Sequence, residues 1–327
     1  MRNRLVQYCC IAVVALSSMG AFGQGSTGAY PSRPVTIIIP FPAGGSTELE
    51  FRSYAIKLSE NIGRPFVLDY KAGAGSMVGT AFVAKAPPDG YTLLGTTSSF
   101  SALPSLYPSL SYDPIKDLAP IAMMTSKSSL VVAHPSVPAK NLTEFIAYGK
   151  TSPGRINHST SGAGGAPHLR AEWLYHLSGV QATFVHYKGT GQMTLDLVAG
   201  RVDSAITLPT LVIPYIKSGK LRALAATGAE RNRLLPDLAT VMEQGVPGYD
   251  YSAWAGMFAP GGTPGAIINR LNAELVKVAR LPDIIQKLGE DGNSMVGNTP
   301  EQFRQAIIAD INLTRKMVAD TGIKLEP

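Results

Sequence analysis

The sequence has 327 residues, 45% hydrophobic and only 16% charged, with a formal charge of +6 from 29 Lys and Arg against 23 Asp and Glu. This surplus is mild and scattered, with no basic run, which argues against nucleic-acid binding and for an ordinary solvated surface. Cys9 and Cys10 are the only cysteines, so the chain beyond them has no disulfide, thiol nucleophile or cysteine metal site.

Residues 1–23 read as a secretory signal peptide. Met1-Arg2-Asn3-Arg4 is basic, residues 5–22 are mostly apolar, and Ala21-Phe22-Gly23 is a small-x-small cleavage site before Gln24. Gln7 and the Ser17-Ser18 pair interrupt the apolar stretch and argue against an uncleaved anchor, and the cysteines lie too early for a lipoprotein. Cleavage removes Arg2 and Arg4 and lowers the formal charge from +6 by two, to +4. Roughly 300 residues remain, more than one hydrophobic core usually serves, and two domains are expected.

Strand and helix then alternate. Val35-Thr36-Ile37-Ile38-Ile39 is an apolar, β-branched strand that breaks at Pro40 and Pro42, passes Gly44-Gly45 and enters a helix at Ser46 or Thr47. Thr47 with Glu50 three residues on predicts a capping box. Phe51, Tyr54, Ala55, Leu58 and Ile62 recur at helical spacing up to Gly63. Residues 66–70 and 91–97 read as strands around a helix over 77–85, a βαβαβ unit with a parallel sheet. A second unit is expected from residue 129, with strands at 129–135, 156–161, 182–187 and 202–207 and helices over 142–150, 167–178 and 192–199. Residues 251–258 read as a strand returning to the first unit, and helices over 264–278 and 300–321 close the chain. These readings predict two α/β domains; two lobes with two or more crossovers are what a hinged cleft would require.

Ligands of open parallel sheets sit outside the carboxyl ends of the strands. The loops expected there are Ala43-Gly44-Gly45-Ser46-Thr47 and Thr96-Thr97-Ser98-Ser99 on one lobe, with Ser161-Gly162-Ala163-Gly164-Gly165 and residues 187–191 on the other. Two of them are glycine-rich and run into helices, where bare amide N–H groups seat an anion. A helix N-terminus contributes about 0.3–1 kcal/mol to an exposed charge and up to ~2 when partly buried. Micromolar affinity needs roughly 8 kcal/mol, so the hydroxyls of Ser46, Thr47, Thr97, Ser98 and Ser161 must contribute as well. A fixed cation is not expected, and binding should tolerate loss of any one Lys or Arg.

Other motifs carry less. Residues 73–79 miss the dinucleotide fingerprint by one position and lack the acidic residue that would hold a ribose. His134, His158, His176 and His186 show no metal-ligand spacing. Ser161 with His168 has no acidic orienter in motif context, which leaves a secreted α/β hydrolase as the rival reading.

Pro40-Phe41-Pro42-Ala43-Gly44-Gly45, Pro87-Pro88-Asp89-Gly90-Tyr91-Thr92-Leu93-Leu94, Tyr187-Lys188-Gly189, Leu234-Leu235-Pro236-Asp237-Leu238-Ala239-Thr240-Val241 and Ala259-Pro260-Gly261-Gly262-Thr263-Pro264 together resemble one family. It is the tripartite tricarboxylate transporter receptors, or Bug solute-binding proteins, and the similarity runs from about Tyr30 to the end of the chain. The resemblance implies a type II periplasmic binding protein. Lobe one would span residues 24–125 and 248–327, and lobe two residues 126–247. It implies a periplasmic, monomeric receptor for a small carboxylate, with no enzyme activity and no cofactor or metal. Its partner would be a membrane permease pair, or a sensor protein if it signals without transport. The expected ligand-binding residues are Pro42, Ala43, Gly44, Gly45, Ser46, Thr47, Glu48, Thr97 and Ser98 on lobe one, where one carboxylate would be held by N–H groups and bridging waters. On lobe two they are Ser161, Gly162, Ala163, Gly164, Gly165, His168, Tyr187, Gly189 and Thr207. The chain departs from the family at Glu48, where Asp is common, and at Thr207, where an acidic residue is common. Glu48 is expected to accept a hydrogen bond from the ligand or a bridging water.

Overall fold

The β-branched run forms β1 (Val35–Ile39), followed by α1 (Ser46–Ile62), β2 (Phe66–Tyr70), α2 (Met77–Ala84) and β3 (Thr92–Thr97). The computed structural model describes residues 30–43, 46–107, 109–162 and 166–322, so the expected signal peptide lies outside the described residues. The elements all belong to the unit Arg33–Pro327. β1 pairs in parallel with β2 and β3, as the alternation requires. α1 buries Phe51, Tyr54, Ala55 and Leu58 against this sheet. It already begins at Ser46, which puts Thr47 inside its first turn. Glu50 does not complete the expected capping box. With Thr47 inside the helix rather than at its cap, the Glu50 Oε2 instead accepts a 2.6 Å hydrogen bond from the buried Thr125 Oγ1.

After the short α3 (Leu103–Leu106) comes β4 (Leu118–Ser128), an 11-residue strand that sequence periodicity did not announce. Its burial does not alternate, and its last residues, Thr125 to Ser128, are polar. The second sheet then opens at β5 (Leu130–Ala133). It continues through α4 (Leu142–Thr151), β6 (Ile156–Thr160), α5 (Ala166–Ser178), β7 (Ala182–His186), α6 (Thr190–Val198), β8 (Ser204–Thr207), α7 (Pro209–Lys217) and β9 (Arg222–Ala226). β10 (Ser252–Pro260) returns to the first sheet, and α8 (Gly265–Ala279), α9 (Pro282–Gly289), β11 (Ser294–Met295) and α10 (Pro300–Thr321) follow.

The six-stranded sheet has the order β11-β4-β10-β3-β1-β2 and the five-stranded sheet β7-β6-β8-β5-β9. β10 runs antiparallel to both β3 and β4. β6 is parallel to β7 and β8, while β5 is antiparallel to both of its neighbours. β5 therefore enters the second sheet against the direction of the strands that carry its loops, because the chain arrives directly from β4 without a crossover helix.

Each sheet has its own core. Ile38, Leu94, Phe100, Trp254 and Phe258 centre the first, and Val131, Phe145, Ile156, Trp173 and Tyr249 the second. α10 serves both: Phe303, Ile307 and Ile311 pack in the first core and Met317 in the second. Its start is set by a capping box between Thr299 and Gln302, and its end by Gly322 at φ +64°. At the β10 contact, a Cβ on Gly256 would meet the Phe303 ring at 2.3 Å, so only glycine lets helix and strand approach this closely.

The two sheets meet at a waist organised by Thr227, which is fully buried. Its N–H donates to Ser129 O at 3.0 Å, and its Oγ1 accepts from Ser129 N at 2.9 Å and donates to Tyr251 O at 2.7 Å. Tyr251 N returns a bond to Thr227 O at 2.8 Å. One residue thus ties the outgoing crossover at Ser129 to the returning one at Tyr251. Thr227→Val keeps the shape but removes the hydroxyl, leaving Ser129 N–H without its acceptor in a buried place. Denaturant unfolding should show a loss of about 1–3 kcal/mol, and an unchanged midpoint would mean that the hydroxyl contributes nothing to the waist.

Candidate functional site

β1 and β3 are parallel, so the residues that follow them emerge on one edge of the first sheet. β6, β7 and β8 do the same for the second, bringing Ser161, Tyr187 and Thr207 to a common edge. At the first edge lies a cavity of about 230 Å³, lined among others by Thr47, Glu50, Thr97, Ser98, Ser99, Thr125 and Lys127. Tyr251, Trp254 and Asn293 add to the wall, and Leu208 brings the second sheet to it. The volume lies just below the ~300 Å³ where drug-sized pockets begin, which suits a small metabolite.

Of the expected lobe-one residues, Thr47, Thr97 and Ser98 line this cavity. Thr97 Oγ1 lies 3.0 Å from Ser99 Oγ, so three hydroxyls cluster at the end of β3. Pro42 and Ala43 follow β1 and are exposed. Gly44, Gly45, Ala163, Gly164 and Gly165 lie outside the described residues, as does the Ser46 side chain. On the second sheet, Gly189 N donates to Ser161 O at 3.1 Å and Tyr187 N to Thr160 O at 2.9 Å, which brings those two loops together. Gly162 O accepts from Thr160 Oγ1 at 3.1 Å. The Tyr187 hydroxyl is directed to Asp196, donating to Oδ2 at 3.0 Å. Thr207 is buried at the end of β8, and among the described residues its Oγ1 has no hydrogen-bond partner. It immediately precedes Leu208, the residue that reaches the cavity.

Glu48 is placed otherwise than expected. Its carboxylate accepts from Arg52 Nε at 3.0 Å and from Arg52 Nη2, and Arg52 also donates to Tyr70 Oη at 3.2 Å. An i,i+4 pair of this polarity is a local helix interaction, and Glu48 is not among the residues lining the cavity. The acid in the cavity wall is Glu50, 8% exposed. Burial pushes its carboxyl above the ordinary range, opposed by hydrogen bonds from Thr125 and Asn293 and by the charge of Lys127, while Asp291 adds to the rise. Lys127 Nζ lies 3.9 Å from Glu50 Oε1, and both side chains are 11% exposed. Sequence reading missed this pair for two reasons. The spacing of Glu50 after Thr47 reads as a helix cap, and Lys127 sits on β4, a strand without an alternating pattern.

His168 is buried behind the second-sheet loop. Its Nε2 lies 3.4 Å from Glu172 Oε1, and its ring centroid is 4.5 Å from that of His186. His158 is deeper still, with Nδ1 at 2.8 Å from Tyr175 Oη and 2.9 Å from Ser204 Oγ, and with Phe184 edge-on at 5.6 Å. No group of three metal-capable side chains is found among the described residues.

Two outcomes follow from this geometry. Glu48→Gln should change the affinity for any bound solute by less than about twofold in titration calorimetry, since its carboxylate serves Arg52 and Tyr70; selective loss of donor-bearing solutes would put it at the ligand. The other outcome concerns acid stability. Burial, helped by the charge of His168, pushes His158 down to about 3 from 6.5. The unfolded chain therefore takes up a proton that the folded chain refuses. This contribution is present in full above pH 6.5 and is lost as pH falls towards 3, at no more than about 1.4 kcal/mol per pH unit. His158→Phe should flatten that limb of the stability curve, and an unaltered slope would show that His158 is not the group responsible.

Residues 50–323 match the model of the tripartite tricarboxylate transporter family receptor. The chain is 33% identical over 315 residues to protein BugT of Bordetella pertussis, covering 96% of this chain and 97% of that one. Among solved structures, an R. palustris protein with adipate is 33% identical with a TM-score of 0.73, covering 90% of this chain and 99% of that one. MatC from Rhodopseudomonas palustris with bound malate is 31% identical with a TM-score of 0.69, covering 88% of this chain and 100% of that one. With the two-lobed α/β fold and a cavity at the strand ends, the chain belongs to the tripartite tricarboxylate transporter receptor family.

Proposed function

We propose that this protein is an exported, periplasmic solute receptor that closes two lobes around a small carboxylated metabolite and performs no chemistry on it. The observation that carries this reading is the small polar cavity at the carboxyl end of β1 and β3, reached from the second sheet by Leu208, in a chain of this receptor family. The adipate and malate held by two similar proteins support a carboxylate as the solute.

In this reading residues 1–23 are cleaved, residues 24–125 with 248–327 form lobe one, and residues 126–247 form lobe two. Thr47, Thr97 and Ser98 receive the carboxylate, with Gly44 and Gly45 as the expected backbone donors. Ser161, Gly162, Ala163, Gly164, Gly165, Tyr187 and Gly189 close from lobe two, with His168 steadying its loop and Thr207 beside the entry of Leu208. The monomeric receptor delivers its solute to a membrane permease pair, or to a sensor protein where no transport follows. Among the described residues no helix is long and apolar enough to cross a membrane, which accords with delivery by a separate membrane partner.

A thermal-shift screen of dicarboxylates, tricarboxylates, aromatic acids and their amides on the purified protein tests the reading. A bound solute at 100 times its Kd stabilises by ~2.7 kcal/mol, enough to raise the melting temperature by several degrees. Gly45→Pro removes a backbone donor at the anion seat and should abolish that shift. Turnover of ester substrates, with no carboxylate producing a shift, would favour the hydrolase reading instead.

A further inference from the structure

Resting on the receptor reading above, we propose that the Glu50–Lys127 pair in the cavity wall is the seat of an α-amino carboxylate, so that the solute is an amino acid rather than a plain dicarboxylate. Both side chains are 89% withdrawn from solvent, each showing 11% exposure, yet both line the cavity. Their separation of 3.9 Å is too long for a hydrogen bond. Glu50 has one oxygen engaged by Thr125 at 2.6 Å and also takes a hydrogen bond from Asn293, while Oε1 faces the lysine. Lys127 carries three donors, and among the described residues its ammonium is paired only with Glu50. Two opposite charges are thus withdrawn from water beside an open volume, and the lysine's is left without a hydrogen bond to its counter-charge. That is an unfavourable arrangement unless something else completes it.

A group with both signs of charge completes it best. In an α-amino acid the ammonium and carboxylate are attached to one carbon through bonds of about 1.5 Å, so the two charges are spaced on the scale of the Glu50–Lys127 pair. The ammonium would bond Glu50 Oε1, and the carboxylate would bond Lys127 Nζ with help from the Thr97, Ser98 and Ser99 hydroxyls on the same wall. The four charges then alternate in sign, and each buried ion gains a hydrogen bond. A plain dicarboxylate satisfies Lys127 but sets a second anion beside Glu50, with Asp291 adding to the negative field there. It can enter without repulsion only if Glu50 takes up a proton. The pair follows from a strand pairing and a helix position, and it also accounts for why an acid points into a cavity built for anions.

The test compares matched solutes, glutamate with glutarate and aspartate with succinate, by calorimetry on the full mature chain. The wild-type protein should bind at least one amino acid tenfold or more tighter than its partner lacking the amine. Titration in two buffers of different ionisation heat should show proton uptake with glutarate or succinate and none with the amino acid. Glu50→Gln should reverse the order, weakening the amino acid at least tenfold and strengthening the plain diacid. Lys127→Met should weaken both. Circular dichroism and melting curves check that each variant is folded, and the proton-uptake measurement on the wild type stands if a variant is not. A plain diacid bound as tightly as the amino acid, with no proton uptake, would overturn this assignment while leaving the receptor reading intact. Binding of no carboxylate of either kind would overturn both.

Discussion

Everything in this fold depends on how the chain passes between its two sheets, and one buried threonine controls both passages. Ser129 and Tyr251 lie on separate crossovers more than a hundred residues apart in sequence, yet both bond to Thr227. The backbone there belongs to neither sheet's ladder, so its N–H and C=O groups must find partners at the waist or remain unpaired in a buried place. Thr227 supplies a donor, an acceptor and a hydroxyl that acts as both. Asn232 extends the same solution, donating from Nδ2 to Ser128 O at 3.1 Å.

A second tie lies on α10. Arg170 of α5 is 4% exposed and donates to Asp310 of α10 at 3.0 Å, while Trp254 Nε1 donates to the other Asp310 oxygen at 3.3 Å. The guanidinium also sits 4.6 Å from the centre of the Tyr251 ring. Asp310, in its ion pair with Arg170, thus links α5 of the second sheet's helix layer to Trp254 on β10 of the first. Such a pair adds little net stability once desolvation is counted, but losing one partner leaves a costly buried charge.

The cavity is built unequally. The first sheet supplies hydroxyls, an acid and a lysine on α1 and on the ends of β3 and β4, all held by rigid elements, while the second contributes Leu208. The wall on one lobe thus carries fixed dipoles and charges, and the contact from the other is the apolar Leu208. Site residues placed on helices and strands keep their geometry better than residues on loops.

The sequence by itself determined the α/β class, the parallel units around β1 and β6, the two-sheet division and the strand ends where the cavity forms. These rest on local rules: β-branched runs, helical spacing, and turns that only glycine and proline punctuate. It also carried Thr47, Thr97 and Ser98 to the cavity, because a residue just after a parallel strand can lie only at that edge. Tertiary structure decided what local rules cannot express. β4 became a strand because β10 and β11 pair with it, not because its own pattern alternates. Glu50 left a plausible helix cap for the Thr125 hydroxyl, and Glu48, one turn before Arg52, turned away from the cavity. Lys127 met Glu50 only because a strand 77 positions later in the chain folds against α1. Hydrogen bonds and ion pairs across such separations depend on where the backbone finally runs, and no window of neighbouring residues contains that information.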